Sequence, residues 1–437
     1  MAVVVAATTG RQPIAFADSA SLLSVSSLLD NILTLLLLAA FACVVFFAAN
    51  ALLNRNALHR LAAGDSRRQP LVSALIPCRN EQEHIAACID SFLEQKYSDL
   101  EILILDDHSK DDSANILSRY ANDRDNVTVI QGVPLPEGWT GKNWACHQLY
   151  EAAKGEVLLY CDADTQIDRD LVGDAVAELE NRALGFVTIF PQRNSTNLFD
   201  RWVWSFTSWV IASWIPLWLA YQTRIGMLAV GFGQFLMLRR NVYESIGGYE
   251  ALRGNSLDDF EIARRVQASA IDWRVYSGVG RLTTASYRST KDAVEGYGKS
   301  IFPVLGSNGL TLVVAWLLLA NVTWTPVLVL ILESLRLITI TTDQLQLASL
   351  CVMAILISWA AAAVKLKIST LTMVLYPIAI TAVLYVAVAS YLGIRRGTMT
   401  WKDRFISESG EDGAHGPQVT DAPLGSASDT PTGNSEP

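Results

Sequence analysis

Asp162 and Asp164, two carboxylates one residue apart, have the type and spacing that point most directly to chemistry in this chain. They follow VLLY at 157–160, a short apolar run with no helical period that is bounded by Gly155 and a polar cluster. Such a run reads as a strand buried on both faces of a parallel sheet. Ligands of open α/β sheets lie at the carboxyl ends of the strands, and alternation along an extended chain puts both carboxylates on one side. Two hard oxygen donors placed this way can hold one divalent cation, leaving its other positions to water and a diphosphate. The plainer alternative is a solvated loop after a strand.

Four further clusters could complete such a site. Ile76-Pro77-Cys78-Arg79-Asn80-Glu81 ends one expected strand and opens a helix, and Asp106-Asp107-His108-Ser109-Lys110-Asp111 ends the next strand. A carboxylate at a strand end can accept from a base N–H or a ribose hydroxyl, and a helix start favours anions; capped turns would look the same. In Gly138-Trp139-Thr140-Gly141-Lys142-Asn143 the glycines allow close backbone approach, and Lys142 can meet a phosphate as a point charge. Asp258 and Asp259 fall in the first turn of an expected helix, LDDFEIARR, where the dipole alone accounts for acids. A carboxylate there, facing a cleft, is also a suitable general base for a hydroxyl. Gly247-Gly248-Tyr249 just before it reads as a tight turn presenting an aromatic, for an acceptor or for packing.

The elements that must position these residues follow from patterning. From 71 to about 300, apolar strand-like runs (71–77, 100–105, 127–130, 157–160) alternate with helix-like stretches (81–94, 113–122, 143–153), which predicts an α/β domain with a mostly parallel sheet. The whole chain is 51% apolar and only 18% charged, a membrane-protein composition. Stretches 32–49, 310–332, 345–364 and 371–392 lack charge over roughly the ~18–25 residues that a spanning helix needs. Residues 1–70 are therefore expected to be an N-terminal transmembrane anchor and linker, and 301–396 a region of about three transmembrane helices. Segment 397–437, acidic and rich in Gly, Pro and Ser, is expected to be a disordered tail. Arg55, Arg60, Arg67 and Arg68 after the first segment, against Arg11 before it, place the α/β domain in the cytoplasm, at the plasma (inner) membrane.

Stretch 202–223 carries five of the twelve tryptophans and no charge. Spanning would cut the α/β domain in two, so it is expected to be interfacial or re-entrant, with a buried helical hairpin as the alternative. If all three late segments crossed, Arg395, Arg396, Lys402 and Arg404 would lie outside; the Pro377 segment is the one expected not to cross. The net charge of −9 lies partly in the tail, and no basic stripe with interleaved aromatics argues for nucleic acid. The six cysteines show no C-x-x-C pair and read as reduced thiols.

Taken together, IPCRNE, LDDHSKDD, GWTGKNWACHQ, CDADT, IGGYE and LDDFEIARR resemble the ordered motif set of family-2 glycosyltransferases, over about residues 72–300. The GWTGK wording and EGYGKS at 295–300 are most similar to bacterial carotenoid- and hopanoid-associated members. The resemblance implies a GT-A fold, a nucleotide-diphospho-sugar donor such as a UDP-sugar, a divalent cation (Mg²⁺ or Mn²⁺) and inversion at the anomeric carbon. By motif position, Asp106 or Asp107 would hold the nucleobase and Glu81 the ribose. Asp162 would contact the donor, together with Pro77 and Lys142; Asp164 would bind the metal and Asp259 would be the base. Gly248, Tyr249 and Asp258 would lie on the acceptor side. The Q-x-x-R-W motif of processive polysaccharide synthases is absent after Asp259. That absence weakens a polymer-synthase reading, and the membrane segments and Trp-rich stretch suggest a membrane lipid acceptor such as a carotenoid or hopanoid, with a polyprenyl-phosphate or polysaccharide transferase as the runner-up. A catalytically silent scaffold would have been indicated by loss of D-x-D or Asp259, and both are present.

Overall fold

The computed structural model describes residues 19–124, 126–304 and 308–398, with short stretches at 400–401, 404–406 and 412–413. In chain order, α1 (Ser19–Asn54) precedes the α/β domain, which opens with β1 (His59–Arg60), β2 (Val72–Cys78), α2 (Ile85–Leu93), β3 (Leu100–Asp106), α3 (Ser113–Asp123) and β4 (Val127–Gln131). It continues through α4 (Gly141–Ala152), β5 (Val157–Tyr160), β6 (Thr165–Ile167), α5 (Leu171–Asn181), β7 (Phe186–Phe190) and β8 (Gln192–Arg193). Helices α6 (Leu198–Ser213) and α7 (Leu217–Ala220) lead to β9 (Leu236–Arg239), α8 (Arg240–Ser245), α9 (Asp258–Ala268), β10 (Trp273–Ser277) and β11 (Leu282–Thr284). The chain then forms α10 (Thr290–Val304), α11 (Gly309–Ser334), α12 (Thr342–Leu366), α13 (Thr370–Val374) and α14 (Tyr376–Arg395).

The main sheet has the order β1-β10-β7-β9-β5-β2-β3-β4. Every pairing is parallel except those of β9, which runs antiparallel to both β5 and β7. Strand β5 is buried along its whole length, as its unbroken apolar run requires, and Asp162 and Asp164 follow directly at its carboxyl end. The α/β domain with a mostly parallel sheet is therefore as expected. Local boundaries differ where side chains compete for the backbone. Helix α2 starts at Ile85 rather than near Glu81 because residues 80–82 are tied to the facing loop instead. Asn80 N–H donates to Ser109 Oγ, Glu81 N–H to Ser113 Oγ and Gln82 N–H to an Asp111 carboxylate, at 2.8–3.0 Å.

Four helices, from 27–54, Gly309–Ser334, Thr342–Leu366 and Tyr376–Arg395, are long and apolar enough to cross a membrane. The Trp-rich stretch forms α6 and α7, broken around Pro216. Strands β7 and β9 flank it and pair directly, so both its ends lie on one side of any bilayer. Its tryptophans do more than face headgroups. Trp209 is fully buried, stacks on Trp359 of α12 with ring centroids 5.3 Å apart and donates to Ser358 Oγ at 2.8 Å. Trp214 stacks on Phe47 of α1. Asn50 and Asn54 of α1 donate to the carbonyls of Ser213 and Ala212, taking up two C-terminal acceptors of α6. The stretch is thus the seam that fastens the α/β domain to the apolar helices.

Pro377 lies in the first turn of α14, where a missing N–H costs nothing. Tyr376 at that start packs beside Trp359, about 10 Å from the end of α12 by helical rise. Tyr391 near the other end packs on Phe302 of α10 and lies against Gly309, the first residue of α11. The tail beyond 397 falls mostly outside the described residues; three short strands within it, Thr400–Trp401, Arg404–Ile406 and Asp412–Gly413, pair antiparallel. Residues 1–18, including Arg11, also lie outside them. The six cysteines are free thiols.

Candidate functional site

A cavity of about 290 Å³ opens at the carboxyl ends of β2, β3 and β5. It gathers Pro77, Glu81, Asp107, Lys142, Asp162 and Asp164, six of the expected residues that are far apart in sequence. The loops after β2 and β3 form one wall. Arg79 Nη1 donates to the Asp107 carbonyl at 2.6 Å and its guanidinium lies 3.9 Å from the Asp107 carboxylate. The two neighbouring aspartates point in different directions. Asp107 lines the cavity, whereas the buried Asp106 carboxylate accepts the Ser109 N–H at 3.2 Å and holds the loop. Asp106 is thus a loop-holding residue and not a cavity-lining one, because the chain turns at the strand end and sends its side chain inward.

The floor is made by the Asp162–Asp164 turn. Lys142, on the first turn of α4, places its ammonium 2.9 Å from Asp162 Oδ1 and 3.5 Å from Asp258 Oδ2. Thr140 caps this helix by accepting the Asn143 N–H, and Asn143 donates to the carbonyls of Leu252 and Asn255 at 2.8 and 2.9 Å. The loop before α9 is thereby locked onto α4. Burial works against the Lys142 ammonium, but the charges of Asp162 and Asp258 outweigh it and hold its pKa well above the ordinary lysine value. Lys142 is therefore committed to carboxylates as well as lining the cavity.

Asp164 is differently placed. Its Oδ2 accepts from Thr284 Oγ1 at 3.2 Å, and no cation pairs with it at ion-pair distance among the described residues. No cluster of three or more His, Cys, Asp or Glu that could hold a metal is found among the described residues. The donor set is therefore one or two carboxylates. That fits a hard ion such as Mg²⁺ or Mn²⁺, which keeps waters and binds substrate phosphates, and does not fit an all-protein cage. Asp164 is the carboxylate open to it, since Asp162 is engaged by Lys142 and by Gln234 Nε2 at 3.0 Å.

Asp258 and Asp259 diverge as adjacent helix positions must, by about 100°. Asp258 is buried and accepts from the Tyr249 hydroxyl at 3.1 Å. Asp259 is half-buried and accepts the N–H of Gly233 at 3.2 Å. Burial, and then the adjacent Asp258 charge, push the Asp259 carboxyl up to about 7, with Lys142 pulling the other way. A carboxylate at that value can exchange a proton near neutrality. Of the two readings of Gly247-Gly248-Tyr249, acceptor contact or packing, the position of Tyr249 matches packing. Tyr249 is 1% exposed, and a Cβ at Gly248 would lie 2.6 Å from the Tyr243 ring. The turn packs the aromatic inward, where its hydroxyl fixes Asp258.

Two parts of the site carry no strong signal in the sequence. One is the loop Gly231-Phe232-Gly233-Gln234, which threads between Asp259 and Asp162. A Cβ at Gly231 would lie 2.2 Å from the Asp259 carbonyl, and one at Gly233 would lie 2.8 Å from Lys142 Nζ and 3.2 Å from Asp162 Oδ2. Only glycine lets the backbone come this close; the pair of glycines before a strand-like run was the available hint. The other is Arg193 on β8, which lines the cavity although its side chain is only 6% exposed. It pairs with the fully buried Asp200 at 3.2 Å, donates to the Tyr297 hydroxyl at 3.0 Å and packs over Trp204 and Tyr287. Nothing local marks Arg193. Tyr297 and Lys299, which also lines the cavity, belong to the EGYGKS stretch.

Residues 73–247 match the family model described as Glycosyl transferase family 2. A beta-monoglucosyldiacylglycerol synthase of Trichormus variabilis is 26% identical over 208 residues, which cover 46% of this chain and 42% of that protein. A 4,4'-diaponeurosporenoate glycosyltransferase of Staphylococcus aureus is 22% identical over 300 residues, covering 66% of this chain and 75% of that one. Among solved structures, the mannosyltransferase PcManGT from Pyrobaculum calidifontis, in complex with GDP-Man and Mn²⁺, superposes with a TM-score of 0.49 at 17% identity. That match covers 82% of this chain and 99% of the other.

Proposed function

We propose that the protein, whose residues 73–247 match the glycosyl transferase family 2 model, moves a sugar from a nucleotide-diphospho-sugar to a hydroxyl of a membrane lipid, with inversion. The observation that carries this reading is the cavity that joins Asp107, Asp162 and Asp164 at the strand ends, one glycine loop away from Asp259. Asp107 and Glu81 take the nucleoside, which we infer to be uridine. Asp162, fixed by Lys142 and Gln234, orients the sugar diphosphate. Asp164 would hold a divalent cation, which would supply charge neutralisation for the departing diphosphate. Asp259 removes the acceptor proton as that oxygen attacks the anomeric carbon; one displacement needs one base and no enzyme nucleophile. The lipid character of the acceptor, a carotenoid- or hopanoid-like alcohol, is supported by the apolar helices and by what the names of the two relatives say they act on.

The test incubates purified membranes with a panel of labelled UDP- and GDP-sugars and identifies labelled lipids by mass spectrometry. Label should enter a lipid carrying one or a few sugars, only with divalent cation, and Asp164→Asn should weaken metal-dependent donor binding. Full turnover in excess EDTA refutes the metal assignment, and a ladder of long glycans refutes the lipid-acceptor assignment.

A further inference from the structure

A second concavity, of about 380 Å³, lies outside the catalytic cavity, where the end of α1 meets the edge of the main sheet. Its floor is apolar and aromatic, built from Leu53 and Ala57 at the end of α1 and from Trp218 and Tyr221 at α7. Leu53 is 51% exposed on the flank of the apolar helix, and Trp218 is 37% exposed with its indole N–H on Asn50 at 3.1 Å. The concavity is therefore continuous with the surface that faces lipid if α1 spans, and it opens at headgroup depth. Trp with one wet edge is characteristic of that depth.

Its polar rim is cationic. Arg274 of β10 stacks on Tyr221, with the guanidinium carbon 4.3 Å from the ring centroid, and donates to the Trp273 carbonyl. It makes no ion pair among the described residues. Arg182 and His59 complete the rim. Glu178, the partner of Arg182, also accepts from the Tyr276 hydroxyl. Arg55 and Arg60 lie within electrostatic reach of Lys365 at the end of α12, and the carbonyl of Lys365 accepts from Ser277 at the end of β10. These residues form a basic belt beside the end of α12.

We propose that this concavity binds one anionic phospholipid, its headgroup phosphate on Arg274 and an acyl chain along Leu53 and Trp218. The volume falls in the ~300–1,000 Å³ range of small-ligand sites, and a stacked, unpaired guanidinium suits a phosphate oxyanion. The site depends on membrane insertion and not on the sugar chemistry proposed above.

The test is native mass spectrometry of the full chain released from nanodiscs of equal parts phosphatidylcholine and phosphatidylglycerol. Wild type should retain one phosphatidylglycerol, favoured over phosphatidylcholine by roughly fivefold or more, the size expected for one arginine at a membrane surface. Arg274→Gln should bring the ratio near parity. Leu53→Trp, which fills the chain-side opening and keeps every charge, should abolish retention. Arg288→Gln, an exposed arginine paired with Glu83 elsewhere, should change nothing. No headgroup preference in wild type, or a preference that survives both groove variants, overturns the proposal in favour of diffuse attraction to the basic belt. Displacement of the lipid by millimolar inorganic phosphate overturns it in favour of a soluble-anion site.

Discussion

Lowering the pH through 7 should silence transfer, because the proposed base must be ionised to work. Burial first, and the Asp258 charge second, raise the Asp259 carboxyl from 3.8 to about 7. The ionised fraction is then about one half at pH 7, about one tenth at pH 6 and about one hundredth at pH 5, so kcat/KM should fall with unit slope below pH 7. The decisive perturbation is Lys142→Met. It removes the cation that opposes this shift and stands 2.9 Å from Asp162 and 3.5 Å from Asp258. The Lys142 charge holds the Asp259 carboxyl down, so its loss should move the acid limb upward, while maximal rate drops because Asp162 is no longer held. The assay is the initial rate of labelled lipid formation from pH 5 to 9, with nucleotide binding measured separately to exclude unfolding. Asp259→Asn should erase transfer, a loss of about 10²–10⁴-fold, yet leave nucleotide binding nearly intact; Asp258→Asn should be milder. Linkage gives an independent sign. The folded state holds this proton more tightly than the unfolded chain, so its contribution to stability is lost as pH rises from about 4 to about 7. Asp259→Asn should then stabilise the protein relative to wild type at pH 8. An acid limb near 4, the ordinary carboxylate range, or near wild-type turnover by Asp259→Asn would refute the reasoning.

Three further outcomes are expected. Gly233→Ala puts a methyl 2.8 Å from the flexible end of Lys142 and should fold normally but lose donor affinity, whereas Gly231→Ala meets the Asp259 carbonyl at 2.2 Å and should displace the start of α9 and lose turnover; equal activity of either variant to wild type contradicts the close-packed loop. Arg193→Met strands the fully buried Asp200 carboxylate and should cost about 3–5 kcal/mol of stability, read as a lower melting temperature in detergent, with Asp200→Asn in the same background recovering part of it. Single cysteines placed at Ser195, Ser256 and Arg395 should all react with an impermeant maleimide from the same side of sealed vesicles, because α6–α7 returns to its own sheet and the basic residues after α14 favour the side of the α/β domain; labelling of position 395 from the opposite side would mean that α14 crosses.

Much of this protein is legible in the chain because the governing signals are local. An unbroken apolar run before Asp162 dictates a buried parallel strand, and that strand's end fixes where a polar ligand must sit. Charge-free stretches of bilayer length announce the four apolar helices whatever they pack against. The order of the motifs from Pro77 to Asp259 carries the resemblance to family-2 glycosyltransferases. Tertiary structure decides what depends on direction and long-range contact. The direction in which the chain leaves β3 makes Asp107 line the cavity and turns Asp106 inward. The Tyr243 ring and the Asp258 carboxylate draw Tyr249 into the core, although its turn alone is equally suited to display. The antiparallel insertion of β9 between β5 and β7 brings Gly231–Gln234 against Asp162 and Asp259, residues some 70 and 26 positions away in sequence. Arg193 has no local mark at all, since its partners Asp200, Tyr287 and Tyr297 meet only when α6 and α10 close over β8. Sequence sets each side chain's chemistry and the period of its element; which carboxylate faces the cavity follows from packing that no window of residues contains.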